Sequence, residues 1–171
     1  MSQLPGKSID MILCDLPYGT TACKWDVIIP FEPLWEQYER IIKDNGAIVL
    51  TASQPFTTAL ITSNTKLFKY CWIWEKPQGV DPFMTKYRPL NNYEDVAVFG
   101  RGTINYYPQM TYGTPYKMVR DKYSRKHELT GTTMRQTATN NEGERYPTRI
   151  LKVKQEKGLH PTQNLSPYSS I

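Results

Sequence analysis

Histidine and cysteine are scarce in this 171-residue chain, and their scarcity excludes much. The two histidines, His127 and His160, form no metal-ligating cluster and no nucleophile–base pair by spacing, so each reads by itself as a surface or turn residue. The three cysteines, Cys14, Cys23 and Cys71, make no C-x-x-C pair and leave one unmatched. That argues against a disulfide framework and a zinc ribbon and suits a reducing cytoplasm, and no metal is expected. Also missing is any run near the roughly 18 apolar residues needed to cross a bilayer, and the opening MSQLPGKSID has no signal-peptide pattern. A soluble, cytoplasmic protein with no membrane partner is expected. There is no internal repeat and no low-complexity tract.

What the chain does hold is aromatic and cationic surface. The length suits one core with a small appendage. Tyrosine occurs 12 times, more flat surface than such a core requires. Residues 1–100 carry 9 Lys and Arg against 11 Asp and Glu, whereas residues 101–171 carry 12 against 5. The second part therefore looks suited to a polyanion, the alternative being a solvated, loop-rich surface that is merely basic.

The hydrophobic pattern predicts alternating strands and helices. SIDMILC reads as a short strand covered on both faces and ending at Asp15. In FEPLWEQYERIIKDNGA, apolar residues at Phe31, Leu34, Trp35, Tyr38, Ile41 and Ile42 have helical spacing, with Gly46 placed to stop the helix. AIVLTA reads as a second buried strand, QPFTTALITSN as a shorter helix with Pro55 near its first turn, and FKYCWIWEK and EDVAVFG as two further strands. This is the order of an α/β layered sheet, in which ligands lie at the carboxyl ends of strands. From Arg101 the periodicity stops. Residues 101–157 are too rich in Tyr and Arg for an inert linker and too long for an ordinary connection, so a functional insertion is expected.

Asp15 opens the run DLPYGTT at the end of the first strand. Asp at a strand end is often only a turn former bonded to its own backbone, and that reading accounts for D-L-P but not for Tyr18. The chemical reading starts from an exocyclic amino group such as that of adenine. Its lone pair is delocalised into the ring, so it attacks an electrophile poorly until acceptors engage its hydrogens. The Asp15 carboxylate and the Leu16 carbonyl, aimed by the stiffness of Pro17, would be two such acceptors. Tyr18 would offer a face to the base. A base inside a duplex must first be extruded at a cost of a few kcal/mol, and stacking contributes about 1–3 kcal/mol per base.

DLPYGTT resembles the (D/N/S)-P-P-Y signature of the DNA amino-methyltransferases, with Leu16 in place of the first proline. NNYEDVAVF is similar to a later strand of that family that reads H-E-x-x-x-x-F, Tyr93 replacing its histidine, and KGLHPTQ is similar to the opening of its H-P-T-Q-K-P segment. The order of these segments is that of the beta class. The resemblance implies a partial Rossmann-like α/β methyltransferase sheet with flanking helices and an irregular basic insertion. It implies methyl transfer from S-adenosylmethionine to adenine in double-stranded DNA, since Asp in first place points to adenine more than cytosine, and with it DNA methylation of the restriction-modification kind. Asp15, Leu16, Pro17 and Tyr18 are implied as catalytic and base-holding groups, and Asp15, His160 and Thr162 as cofactor-binding. Tyr106, Tyr107, Tyr112 and Tyr116 beside Lys117, Arg120, Lys122, Arg125 and Lys126 are the candidate DNA contacts, cations for phosphates and rings for bases. Lys76 is a candidate for substrate or phosphate. The four tryptophans, Trp25, Trp35, Trp72 and Trp74, are read as core rather than base platforms.

The expected organisation is a partial catalytic domain over 1–100, a target-recognition insertion over 101–157, and from 158 to 171 the start of a cofactor-side segment with a divergent tail. The resemblance stops after Gln163, and no G-x-G turn lies between a strand and a helix. The expectation is a chain shortened at both ends, with weak S-adenosylmethionine binding and an unpaired edge on the Asp15 strand, open to a complementing chain or self-association. Two other readings stay open: a non-catalytic DNA-binding remnant or half of a split enzyme, and a methyltransferase acting on RNA or protein amide groups.

Overall fold

The structure is a computed structural model that describes residues 1, 3–80, 82–118, 125–126, 133–134 and 139–152. Strand β1 (Ile9–Asp15) leads through a loop to helix α1 (Phe31–Ile41), then β2 (Ile42–Ala52), α2 (Phe56–Ser63), β3 (Phe68–Val80) and β4 (Asn91–Phe99). The short strands β5 (Thr111–Tyr112), β6 (Tyr116–Met118), β7 (Arg125–Lys126), β8 (Thr133–Met134), β9 (Thr139–Asn141) and β10 (Glu144–Arg145) follow, and β11 (Ile150–Lys152) comes last. The main sheet has the order β1-β2-β4-β3-β11. β1 lies parallel to β2, and β4 runs antiparallel to both β2 and β3. The expected α/β class is what the chain forms.

Alternation along each strand sends its side chains to opposite faces. On one face Ile48, Leu50, Ala97 and Phe99 are buried beneath Leu34, Trp35 and Tyr38 of α1 and Phe56 and Leu60 of α2. The rings of Trp35 and Phe68 meet Phe99 at 4.8 and 5.6 Å. On the other face Val49, Trp74, Val96 and Val98 form a smaller buried cluster. Burying one aromatic or branched side chain contributes roughly 1.5–3 kcal/mol, so the first face dominates the stability of this unit.

Two expectations are corrected. Helix α1 ends at Ile41, not at Gly46, because Ile42 is already extended and pairs with Ile9. The ladder then skips to Met11 opposite Ala47, so residues 43–46 bulge out. Gly46 serves the re-entry of β2 instead: a side chain there would stand 2.7 Å from the Asp10 carbonyl oxygen. Nor is β1 covered on both faces. It is the terminal strand of the sheet among the described residues, and Met11 is 47% exposed. An apolar run alone does not reveal whether another element packs over each of its faces.

The chain divides into two compact units, Met1–Tyr107 with the residues from Thr148 on, and Pro108–Pro147. In the second, β5 pairs with β10, β6 with β9 and β7 with β8. Outside β7 and β8, Gly143 alone of its described residues is buried, and polar contacts hold it together. Arg145 donates to the carbonyls of Thr114 (2.8 Å) and Glu144 (3.0 Å) and to the Asn141 side chain, and its guanidinium lies 4.8 Å from the Tyr116 ring centre.

Candidate functional site

Strands β1 and β2 end side by side in the main sheet. Asp15 pairs with Thr51, and the last residue of β2, Ala52, faces Asp95 in the middle of the antiparallel β4. The Thr51 hydroxyl donates to Asp15 Oδ1. The Tyr18 hydroxyl lies 2.9 Å from both that oxygen and Thr51 Oγ1, so its single proton can go to either. Two hydroxyls thus converge on one carboxylate oxygen and fix the carboxylate plane.

The intervening residues explain why the cluster is stable. The Leu16 side chain is only 5% exposed and belongs to the core, which anchors the main chain between the carboxylate and the tyrosine. Tyr18 is half-buried, stacked on Phe56 with ring centres 5.2 Å apart and planes inclined by 25°. Burial chiefly, partly offset by the hydrogen bond with Thr51, and then the negative charges of Asp15 and Glu94 push the Tyr18 phenol far above its ordinary value. The phenol therefore stays a proton donor throughout the physiological range.

Further polar groups line the same edge. Thr57 donates to Asp95 at 2.7 Å. Lys76, at the site end of β3, pairs with Glu94 and lies 5.4 Å from the Trp74 ring centre, so it is engaged within the chain. The second oxygen of Glu94 and the indole N–H of Trp74 are buried without a hydrogen-bond partner among the described residues. By strand alternation Glu94 shares the face of Val96 and Thr51 that of Val49, so the unsatisfied Glu94 oxygen lies on the Asp15 side of the sheet.

Beyond Tyr18 the loop is organised by a residue that the sequence pattern does not reveal. Asp26, buried, accepts the N–H groups of Gly19 (2.8 Å), Thr20 (3.0 Å) and Thr21 (2.7 Å) and the Thr21 hydroxyl (2.7 Å). The Thr21 hydroxyl first, then these backbone donors, lowers its carboxyl to about 2. Gly19 at φ +67 makes the turn, and a side chain there would stand 2.9 Å from Ile28.

Asp15, Leu16, Pro17 and Tyr18 are thus placed together, and Thr51 and Glu94 join them. A polar residue closing the apolar run AIVLT beside the run closed by Asp15 was the available signal for Thr51. Trp35 and Trp74 are buried as expected, but Trp25 is a correction, standing 74% exposed on the Asp26 loop. Tyr106 and Tyr107 are exposed in the first unit, and Tyr112, Tyr116 and Lys117 are exposed in the second. Tyr112 donates to Glu144 at 3.3 Å. Arg125 and Lys126 form β7, whereas Arg120, Lys122, His127, His160 and Thr162 lie outside the described residues. Among the described residues no group of three or more His, Cys, Asp or Glu side chains could hold a metal ion, and no helix is long and apolar enough to cross a membrane.

No protein-family model matches the chain, and no curated protein matches its sequence. Among solved structures it is similar to M1.HpyAVI in complex with SAM, at 17% identity and a TM-score of 0.41 over 63% of this chain and 48% of that one. The crystal structure of M1.HpyAVI gives 15% and 0.43 over 87% and 59%. The PvuII cytosine-N4-specific DNA methyltransferase gives 11% and 0.47 over 94% and 55%. The chain therefore spans about half the length of these neighbours. At these values the likeness carries no argument about activity, which rests instead on the residues of the site.

Proposed function

We propose that this chain carries the base-holding part of a site-specific DNA methyltransferase that transfers a methyl group from S-adenosylmethionine to N6 of an extruded adenine. One observation carries the reading: a carboxylate at a strand end, fixed by two hydroxyls, followed by a buried Leu16 that anchors its own carbonyl and by a tyrosine already stacked on one side. The Asp15 carboxylate and the Leu16 carbonyl accept the two amino hydrogens. That draws the nitrogen toward a tetrahedral geometry and frees its lone pair for attack, and the nitrogen sheds a proton as it gains the methyl group. Tyr18 presents its second face to the base while Phe56 supports the first, so the ring is held before the substrate arrives. Aspartate in first position supports adenine, with the amino group of cytosine as the competing target.

S-adenosylmethionine supplies the electrophilic methyl group in this reading. The described residues fit its site in part only. They provide the unsatisfied Glu94 oxygen on the Asp15 side, but Gly46 and Gly100 press on the carbonyl oxygens of Asp10 and Gly46, at 2.7 and 2.9 Å for an added side chain, instead of opening onto a ligand. His160 and Thr162 are proposed to complete the cofactor side. The outer edge of β1, terminal among the described residues, is proposed to take a complementing strand or a second copy, and weak activity of the chain alone is the expected consequence. Basic residues 101–157 are proposed to grip the duplex by phosphate contacts, giving affinity that falls steeply with salt.

The test is methyl transfer from methyl-labelled S-adenosylmethionine to DNA, RNA and protein, with the modified base identified by mass spectrometry. N6-methyladenine in DNA, lost in Asp15→Ala, is the expected product. Label in cytosine, RNA or protein would replace the reading.

A further inference from the structure

Trp25 is the most exposed of the tryptophans, and its loop is closed by polar contacts. Asp26, its neighbour, accepts four hydrogen bonds from residues 19–21, and its own N–H donates to the Cys23 carbonyl at 3.0 Å. Cys23 N–H in turn reaches the Thr21 hydroxyl at 3.3 Å. The indole is therefore held out on a closed polar loop whose first residue, Gly19, follows Tyr18 directly.

We infer that Trp25 is a base-stacking platform for the DNA engaged at the Asp15–Tyr18 turn, its indole lying against a base next to the one being held. The inference rests on the reading of that turn as a nucleobase cradle. Three features favour a base over a protein surface. The rigid flat ring is 74% exposed, more than the apolar Val27 (66%), Ile28 (43%) and Ile29 (39%) of the same loop, and Ile28 leans on Gly19. The Asp26 charge that would repel a phosphodiester is buried and spent on four donors. Exposed Thr20 and Lys24 beside the ring offer a hydroxyl and a cation to the backbone of a strand. Aromatic platform with polar and cationic flanks is the composition that binds unstacked bases without sequence preference. The platform also suits the energetics, since removing one base from the stack leaves its neighbour with an open face, and an indole laid there offsets part of the cost.

The test uses the full chain and single-stranded oligonucleotides carrying 5-iodouracil beside a central adenine, at low salt. Irradiation should cross-link the iodouracil to Trp25, identified by peptide mass spectrometry. Trp25→Ala should weaken binding roughly five- to a hundredfold, and Trp25→Phe, which keeps a ring, should recover most of it. If DNA is held equally by Trp25→Ala and the cross-link falls elsewhere, the platform is refuted while the DNA reading stands. If the chain holds no DNA at low salt, the cradle reading fails and the platform with it. If the free chain is dimeric and Trp25 resists iodide quenching, the indole belongs to an interface between copies and the platform is likewise overturned.

Discussion

The two compact units of this chain are built on opposite principles. In the sheet unit, Ile42, Ile48, Leu50, Ala52, Leu60, Ala97 and Phe99 have no exposed surface, and the hydroxyl–carboxylate cluster sits at the rim of that core. In Pro108–Pro147, outside β7 and β8, only Gly143 is buried among the described residues, and a single arginine ties strands of two and three residues together. A densely packed interior has one low-energy arrangement, whereas a surface assembled from polar contacts can rearrange at small cost. The first principle suits a site that must hold an amine at a fixed angle. The second suits a region that adapts to a polyanion.

Substitutions should separate the two. The largest effect is expected from Phe99→Ala, which removes a ring packed between Trp35 and Phe68 and should cost about 3–5 kcal/mol in urea unfolding followed by tryptophan fluorescence. A loss below about 1 kcal/mol would mean the core is not packed as described. Next comes Arg145→Ala. Hydrogen exchange in residues 111–118 and 139–145 should accelerate, corresponding to about 1–3 kcal/mol of easier local opening, with the unfolding midpoint of the sheet unchanged. Equal protection before and after would show that the second unit has another source of order.

Thr51→Val should be smaller, near 1 kcal/mol, because it removes one donor from the Asp15 carboxylate, while Thr51→Ser should stay close to the parent. The least effect on global stability, though a clear local one, is expected from acid. The Asp26 carboxyl is lowered to about 2 in the folded chain, so its contribution is complete above the unfolded value. That unfolded value is near 3.9, and the contribution is lost as protons bind between about 4 and 2. Trp25 fluorescence should hold constant from neutral pH to about 4 and change below it. Asp26→Asn should show the acid-form spectrum already at neutral pH.

Much of the sheet unit was legible because its apolar runs are short, bounded and dominated by burial. The strand end at Asp15, a helix opening at Phe31 and the burial of Trp35 followed from spacing alone. Gly46 misled because a glycine after a helical pattern is ordinarily a helix stop, and only pairing between Ile9 and Ile42 shows that the strand has already begun. The exposure of Met11 depends on whether another element packs over its face, which is tertiary information. Thr51 and Asp26 were missed for a similar reason: their partners lie across a ladder and around a loop, at separations that carry no periodic signature. Trp25 shows that an aromatic outside any periodic segment has no presumption of burial.

The central claim is that the turn from Asp15 to Tyr18 grips the amino group of a base. It is tested most directly by comparing the affinity of the chain for a thymine oligonucleotide holding one adenine with that for the same oligonucleotide holding purine, which lacks the amino group. The account predicts about tenfold or more preference for adenine, erased in Asp15→Ala. Equal affinity for the two, or a preference that survives the loss of the carboxylate, would contradict it.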